Sequence, residues 1–442
     1  MLQGREGTIF ALATGGRKAA LAVFRISGQR TGEVVRKIAG SVDLPERKAT
    51  LRTLRDPASA AVIDQGLITW FKGPASFTGE DVVEISVTGG RAVVAAMIRA
   101  LRTVPGMRPA DPGEFAYRAL LNGKLDLSSV EGLADLIDAE TEQQRVQAQK
   151  VAGGALWREC EAIRESLIDA LVGVEAQIDF SEEEDVGPRL GDSVKEAIKK
   201  SKTRIESALA TASNAMKLRD GFLVVLAGPP NVGKSTLMNA LVGRDVSITS
   251  AAAGTTRDLV ETFMDVKGLP IVFVDSAGVR ESSDPVEREG IERALSRAGG
   301  ADLVLWLHDD RPFVRAPFVS EAILEVRTKA DIKAAGGGHL PAPASLSVCA
   351  IKGEGIDELL EVIVGYAERS MVGAEPRILI GERQRLMFED ARQALCAAWE
   401  ADEPELIAED IRHAVSAIER VTGRAGTEDV LDLIFSRMCI GK

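Results

Sequence analysis

Apolar and polar positions change texture three times along the 442 residues. Between residues 8 and 118, short β-type runs alternate with turns. Residues 20–26, 66–71 and 82–87 predict strands, bounded by Gly28, Gly73 and the pair Gly89-Gly90, and residues 92–101 predict a helix. From Ser128 the spacing becomes helical. Ser128 followed by Glu131 resembles a capping box, and Val130, Leu133, Leu136 and Ile137 fall on one face. Helical signals run to about Met216, interrupted by the acidic stretch 181–185 and Gly187-Pro188, which reads as a solvated loop. Residues 222–227, Phe-Leu-Val-Val-Leu-Ala, form a continuous apolar run suited to a buried parallel strand. Strand and helix signals then alternate to about Tyr366, and residues 382–437 are helical again.

This order predicts an α+β N-terminal domain at 1–119 and an all-α helical domain in two segments, 120–217 and 373–442. An α/β P-loop domain of Ras-like type, 218–372, is inserted between them. Hydrophobic residues at 45% with few aromatics suit cores of Ala, Val, Leu and Ile. The 66 acids and 54 bases leave a net charge of -12, so an RNA partner would need a local basic surface or a basic second protein. The first seven residues lack an apolar core, and no run reaches the roughly 18 apolar residues of a membrane span, which predicts a cytoplasmic protein. Cys160, Cys349, Cys396 and Cys439 are widely spaced and the chain has three histidines, so neither a zinc site nor a disulfide framework is legible.

The strongest chemical signal follows the apolar run at once. Gly228-Pro229-Pro230-Asn231-Val232-Gly233-Lys234-Ser235, then Thr236, is a phosphate-gripping loop between a strand and a helix. Its N–H groups would surround phosphates, Lys234 would reach the β- and γ-phosphates, and the Ser235 hydroxyl would hold Mg²⁺. Asp275-Ser276-Ala277-Gly278 ends a later strand, where an acid would bind Mg²⁺ through water and Gly278 would meet the γ-phosphate. Between them, Gly254-Thr255-Thr256-Arg257-Asp258 is a candidate switch, with Thr256 joining the Mg²⁺ shell.

Base choice points to Thr328-Lys329-Ala330-Asp331, whose Asp331 carboxylate can accept hydrogen bonds from N1 and N2 of guanine. Asn is usual where Thr328 stands, which predicts weaker affinity with guanine preference kept. Ser347-Val348-Cys349-Ala350 resembles the loop that touches the guanine oxygen. Val279 stands where many GTPases carry a water-orienting Gln, so either hydrolysis is slow or another group positions the water; Glu281, Asp284 and Glu287 lie just downstream, where each also reads as a solvated loop acid.

Several runs together resemble the MnmE (TrmE) family of tRNA-modification GTPases, of TrmE-Era-EngA-like type. The terminus Cys439-Ile440-Gly441-Lys442, the run Ser76-Phe77-Thr78-Gly79-Glu80-Asp81, Pro112-Gly113-Glu114-Phe115, Asn122-Gly123-Lys124-Leu125 and Phe24-Arg25-Ile26-Ser27-Gly28 carry the likeness across the whole chain. Thr328, Cys349 and Thr88 depart from the family pattern, and the segment 308–323 is shorter than usual.

The resemblance implies G domains that pair when GTP and K⁺ are bound. Asn231 and the loop Ser250, Ala251, Ala252, Ala253, Gly254 and Thr255 match the nucleotide and K⁺ segment; Asn231, Ser250, Ala252 and Thr255 are the implied ion ligands. Glu287 matches the water-orienting acid. The N-terminal domain is similar to tetrahydrofolate-binding domains, and Arg25, Glu84, Lys124 and Lys442 match contacts to a 5-formyl- or methylene-tetrahydrofolate. The family acts as a homodimer, forms a heterotetramer with the FAD-dependent partner MnmG, and modifies the wobble uridine of certain tRNAs. Cys439 reads as a nucleophile or redox participant, or as a small packing residue on the tail. Two rivals stay open on the residues alone: a ribosome-assembly or signalling switch, and a folate-binding regulator that no longer hydrolyses GTP.

Overall fold

The computed structural model describes residues 7–15, 18–40, 42–179, 191–229, 231–243, 247–248, 261–275, 300–309, 322–332, 346–371, 378–379, 381–425, 434–435 and 438–441. The chain divides into two compact units, one of Met1–Ala134, Ala152–Glu165 and Val415–Lys442, the other of Asp135–Val151 and Ser166–Ala414.

In the first unit, β1 (Thr8–Leu12), β2 (Leu21–Ser27), β3 (Thr50–Arg55), β4 (Val62–Phe71), β5 (Val82–Thr88) and β6 (Met107–Pro109) make a sheet in the order β3-β4-β5-β2-β1-β6. Its pairings are antiparallel except β1 with β6. Period-two alternation divides each strand between two faces. On β2, Ala22, Phe24 and Ile26 enter a core shared with Val34, Val35 and Ile38 of α1 (Thr31–Ala39) and Met97 and Leu101 of α2 (Arg91–Arg102). Arg25, on the opposite face, is the register partner of Glu84 on β5. The helix α3 (Glu114–Leu121) follows β6 and adds Phe115 to a small cluster with Ile9, Ala11 and Ala110.

The start of α4 (Leu127–Asp138) differs from the Ser128–Glu131 capping box. Asp126 is the cap: its carboxylate accepts the Ser129 backbone N–H at 3.1 Å and the hydroxyls of Ser128 and Ser129. Ser128 lies inside the first turn, fully buried. An Asp one residue before the helix satisfies orphan N–H groups and complements the dipole with charge, so it displaces the serine. A capping box does form at α5 (Glu142–Ala152), where Gln144 Oε1 accepts the Thr141 N–H at 3.1 Å and the Thr141 hydroxyl accepts the Gln144 N–H at 3.3 Å. The long helices α6 (Ala155–Asp179) and α7 (Asp192–Asp220) follow.

In the second unit, α7 leads through Gly221 into β7 (Phe222–Ala227), the predicted apolar strand. With α8 (Lys234–Val242), β8 (Ser247–Ile248), β9 (Glu261–Val266), β10 (Leu269–Asp275), β11 (Leu303–His308), β12 (Ile323–Arg327), β13 (Leu346–Ser347) and α9 (Ile356–Met371), it builds a sheet ordered β13-β12-β11-β7-β10-β9-β8. The pairs from β13 to β10 are parallel, and β9 is antiparallel to β10. β7 is covered on both faces: Phe222, Val224 and Leu226 join the larger core, with Leu237 and Leu241 of α8 and Leu359 and Ile363 of α9. Val225 and Ala227 join a second cluster with Val304 and Trp306. That double burial is why the segment reads as unbroken apolar residues. After α9 come α10 (Glu382–Glu400), which packs along α7, and α11 (Pro404–Thr422). The acidic stretch 181–185 lies outside the described residues.

A buried charge network fixes α3. Glu114, 3% exposed, takes Arg108 Nη1 at 2.7 Å, Arg118 Nη2 at 3.0 Å and the Asp111 N–H at 2.9 Å. Burial pushes its carboxyl up, but Arg108, the Asp111 amide and Arg118 together bring it below the ordinary carboxylate range. Because the folded value is the lower one, the stabilisation is full above the ordinary Glu pKa and is lost as pH falls through the folded value. Glu114→Gln should lower unfolding free energy at neutral pH by about 3–5 kcal/mol, the usual cost of stranding a buried partner. Urea melts from neutral to acid pH should show the difference from wild type shrinking on the acid side.

Candidate functional site

The C-terminal ends of β7, β10 and β12 carry the predicted nucleotide residues. Gly228, at φ +152°, follows β7, and a Cβ there would stand 2.4 Å from the Leu307 carbonyl oxygen, so only glycine lets the loop leave the strand beside β11. Asn231 at φ 62° and Gly233 at φ 105° continue the curl, and α8 begins at Lys234. Lys234 Nζ donates to the carbonyls of Gly228 at 2.8 Å and Pro229 at 3.1 Å, so the ammonium is folded against its own loop. Burial lowers its pKa, with Asp275 pulling the other way. A partly desolvated ammonium pressed on carbonyls is primed to exchange them for phosphate oxygens.

Ser235 Oγ donates to Asp275 Oδ2 at 3.0 Å, joining the two predicted Mg²⁺-side groups across |i−j| = 40. A hydroxyl and a carboxylate this close are hard oxygen donors of the kind Mg²⁺ takes, with phosphate and water completing its shell. Asn231 is exposed, leaving its side chain accessible to an ion. Val232 is fully buried and Thr236 exposed.

Thr328 has a role that its side-chain chemistry alone does not reveal. It is 4% exposed, and its hydroxyl lies 2.6 Å from the Val232 carbonyl in the phosphate loop and 3.1 Å from the His308 carbonyl. A single O–H makes one strong bond, and the shorter contact is the one between loops. Beside it, Lys329 Nζ donates to the Asn231 carbonyl at 2.8 Å and pairs with Asp309 at 3.1 Å. Sequence reasoning missed Asp309; its only signal was its place just past a strand end. Asp331 is exposed, as a base-reading carboxylate needs to be. The neighbouring loop is tied in by Ala330 N–H to the Val348 carbonyl at 3.2 Å and by Val348 N–H to the Arg327 carbonyl at 2.8 Å. Cys349 is 1% exposed and exchanges backbone bonds with Glu354, leaving Ala350 at the turn.

Ser250, Ala251, Ala252, Ala253, Gly254, Thr255, Thr256, Ser276, Ala277, Gly278, Val279, Glu281, Asp284, Glu287 and Lys442 lie outside the described residues, as does most of the segment 308–323.

A second constellation sits in the first unit. Arg25 Nη2 and Nε reach Glu84 Oε1 at 2.8 and 3.0 Å, and Arg25 Nη1 donates to the Gly441 carbonyl at 3.2 Å. Its guanidinium lies 5.5 Å from the Phe77 ring centre and 5.8 Å from that of Phe115. The C-terminal tail is thereby docked on the sheet. Ile440 bridges Pro112, and a Cβ at Gly441, φ +102°, would meet the Leu12 carbonyl at 3.0 Å. Exposed Cys439 is thus held within two residues of the Arg25 contact. The Phe77 loop is itself fixed: Ser27 Oγ donates to Glu80 at 2.7 Å and meets the Thr78 hydroxyl at 2.7 Å, and Arg118 pairs with Glu80 at 3.0 Å. Lys124 is exposed, with Cε 3.4 Å from the Cβ position of Gly79 in the same loop.

Residues 8–124 match the family model described as the GTP-binding protein TrmE N-terminus, and residues 127–439 match that of the MnmE helical domain. The chain belongs to the MnmE family. It is 43% identical to a tRNA modification GTPase MnmE of Rhodopseudomonas palustris (strain BisB5), over 99% of each chain. It is 46% identical to one of Methylobacterium sp. (strain 4-46), over 98% of this chain and 99% of the relative. The range matched by the helical model also spans the residues of the β7–β13 sheet.

If the Thr328 hydroxyl holds the base loop against the phosphate loop, Thr328→Val should strand the buried Val232 carbonyl and weaken GDP binding by about 1–3 kcal/mol. Thr328→Asn, which offers two N–H donors, should bind at least as tightly as wild type. Titration with a fluorescent GDP analogue measures both.

Proposed function

We propose that this GTPase of tRNA modification is K⁺-dependent and acts as a homodimer with the FAD-dependent partner MnmG, forming a heterotetramer. Together they install the 5-carboxymethylaminomethyl or aminomethyl group on the wobble uridine of certain tRNAs, using a one-carbon unit from a 5-formyl- or methylene-tetrahydrofolate. The observation that carries the reading is the Ser235–Asp275 contact beside Lys234, with Thr328 tying in the base loop, in a chain that matches MnmE relatives end to end.

In this reading Lys234 gives up its loop carbonyls for the β- and γ-phosphates of GTP, Ser235 and Thr256 hold Mg²⁺ with Asp275 behind water, and Asp331 reads guanine. Asn231, with Ser250, Ala252 and Thr255, holds K⁺, which supplies positive charge beside the β–γ bridge as negative charge grows there. Glu287 orients the attacking water in place of the Gln that Val279 lacks. Arg25, Glu84, Lys124 and Lys442 bind the folate. Glu84 accepts pterin N–H groups and the cations face carboxylates, a division that suits the exposed side of the Arg25–Glu84 pair. Cys439, on the tail beside Arg25, is the group available for covalent or redox chemistry.

Support for the homodimer comes from the sheet face that carries Arg25 and Glu84. Leu51 and Leu67 are register partners there, 59% and 44% exposed, and Leu21 is 64% exposed. No helix among the described residues is long and apolar enough to cross a membrane, and we place the protein in the cytoplasm. The domain limits we propose are 1–119 for folate binding and dimerisation, 120–217 and 373–442 for the helical domain, and 218–372 for the G domain.

GTP turnover should be at least tenfold faster in KCl than in NaCl, and Asn231→Ala should remove that difference while leaving GDP affinity nearly unchanged. Equal rates in the two salts would exclude the ion mechanism. Nucleoside analysis of tRNA from cells lacking the protein should show unmodified wobble uridine, and normal modification would refute the assignment.

A further inference from the structure

The first unit contains a cavity of about 630 Å³ that neither the nucleotide nor the Arg25 constellation uses. It lies where the loop between α3 and α4, the loop between α5 and α6, and the end of α11 converge, and its wall presents Lys124, Trp157, Arg158 and Arg424. Trp157 lines the cavity and is 37% exposed, which leaves apolar surface open to a ligand.

The beginning of α6 is unusual. Gly153-Gly154-Ala155-Leu156-Trp157 offers no side-chain acceptor, the first turn holds no acid, and Arg158 follows where the helix dipole disfavours a cation. The cations are only partly occupied. Arg158 spends one N–H on the Gly153 carbonyl at 2.9 Å, and Arg424 pairs with Glu161 at 3.0 Å. Asp126, the one acid on the wall, is bonded to the hydroxyls of Ser128 and Ser129. Leu120, Ala152 and Thr422, in the last turns of α3, α5 and α11, also line the cavity, and the negative dipole ends there offset part of the positive charge, which leaves room for a ligand carrying one or two negative charges rather than many.

We propose that this cavity receives a single unstacked nucleotide of the tRNA substrate, its base against Trp157 and its phosphate among Lys124, Arg158 and Arg424. The volume fits a mononucleotide, within the 300–1,000 Å³ of ordinary ligand sites. An exposed aromatic ring beside cations is how single-stranded RNA is held, because every base has a face to stack and every link a phosphate. A chain with net charge -12 does not gather RNA by its overall field, so contact concentrates where cations cluster. Lys124 belongs both to this wall and to the proposed folate set, which would bring the seated nucleotide next to the one-carbon carrier. The inference rests on the tRNA-modification reading.

The test uses the full chain and an unmodified anticodon stem-loop RNA, with binding followed by fluorescence anisotropy at several salt concentrations. Trp157→Ala should weaken binding roughly 5- to 150-fold, the range of one lost base stack, with the salt slope unchanged. Trp157→Phe should restore most of it. Arg158→Gln should weaken binding and reduce the log–log salt slope by about one. Binding of 5-formyltetrahydrofolate and GTP turnover should match wild type in all three, which also shows that they fold. Wild-type RNA affinity in both Trp157→Ala and Arg158→Gln overturns the proposal, as does loss of folate binding in step with RNA binding, which would make the cavity part of the carrier site. Either result, with wobble modification still missing from cells that lack the protein, defeats this inference and leaves the modification reading standing. Normal modification in those cells defeats the reading itself.

Discussion

A nucleotide is gripped at two ends, and the loops that hold its phosphates and its base must keep a fixed separation. Here the two loops proposed for those roles are tied directly by a hydroxyl: Thr328, just past the end of β12, reaches the Val232 carbonyl in the loop after β7, 96 positions away in sequence. The two strands are not neighbours, since β11 lies between them. The His308 carbonyl at the end of β11 accepts the Thr328 N–H at 2.8 Å, so all three strand ends are laced together. Lys329 adds a second tie to Asn231. Lys234 and Ser235 begin α8 two and three residues after Val232, and Asp331 lies three residues after Thr328, so the proposed phosphate and base contacts flank this lacing.

The same economy shapes the first unit, where the chain's last residues complete a surface begun by its first. Arg25 is held by Glu84 across the strand pair and by Gly441 from the tail, under two aromatic rings. Buried Glu114 and Arg118 hold α3 and the Phe77 loop in register beneath them. A guanidinium fixed on several sides loses little conformational freedom when a ligand arrives, and that favours binding.

Much of this was legible in the residues, for reasons that differ by element. The strand 222–227 is apolar at every position because both faces of β7 are covered, and the glycine-rich loop after it has few rival readings. Local grammar failed at α4, where Asp126, Ser128 and Ser129 could all cap, and only the backbone's path chooses among them. Non-local facts were beyond reach. Thr328 reads as a weakened Asn until its partner 96 positions away is known. Pairing of Arg25 with Glu84 depends on strand register, and the cavity at Trp157 is assembled from three distant segments.

The proposed preference for guanine rests on Asp331, whose loop is tied to the phosphate loop. Competition between GTP and XTP for the full chain and for Asp331→Asn tests it most directly, because Asn swaps one carboxylate acceptor for a donor that matches the xanthine 2-oxo group. Wild type should prefer GTP and the variant should reverse the preference by about tenfold or more, each hydrogen bond lost or gained being worth roughly 1–3 kcal/mol. A variant that still prefers GTP as wild type does would contradict it.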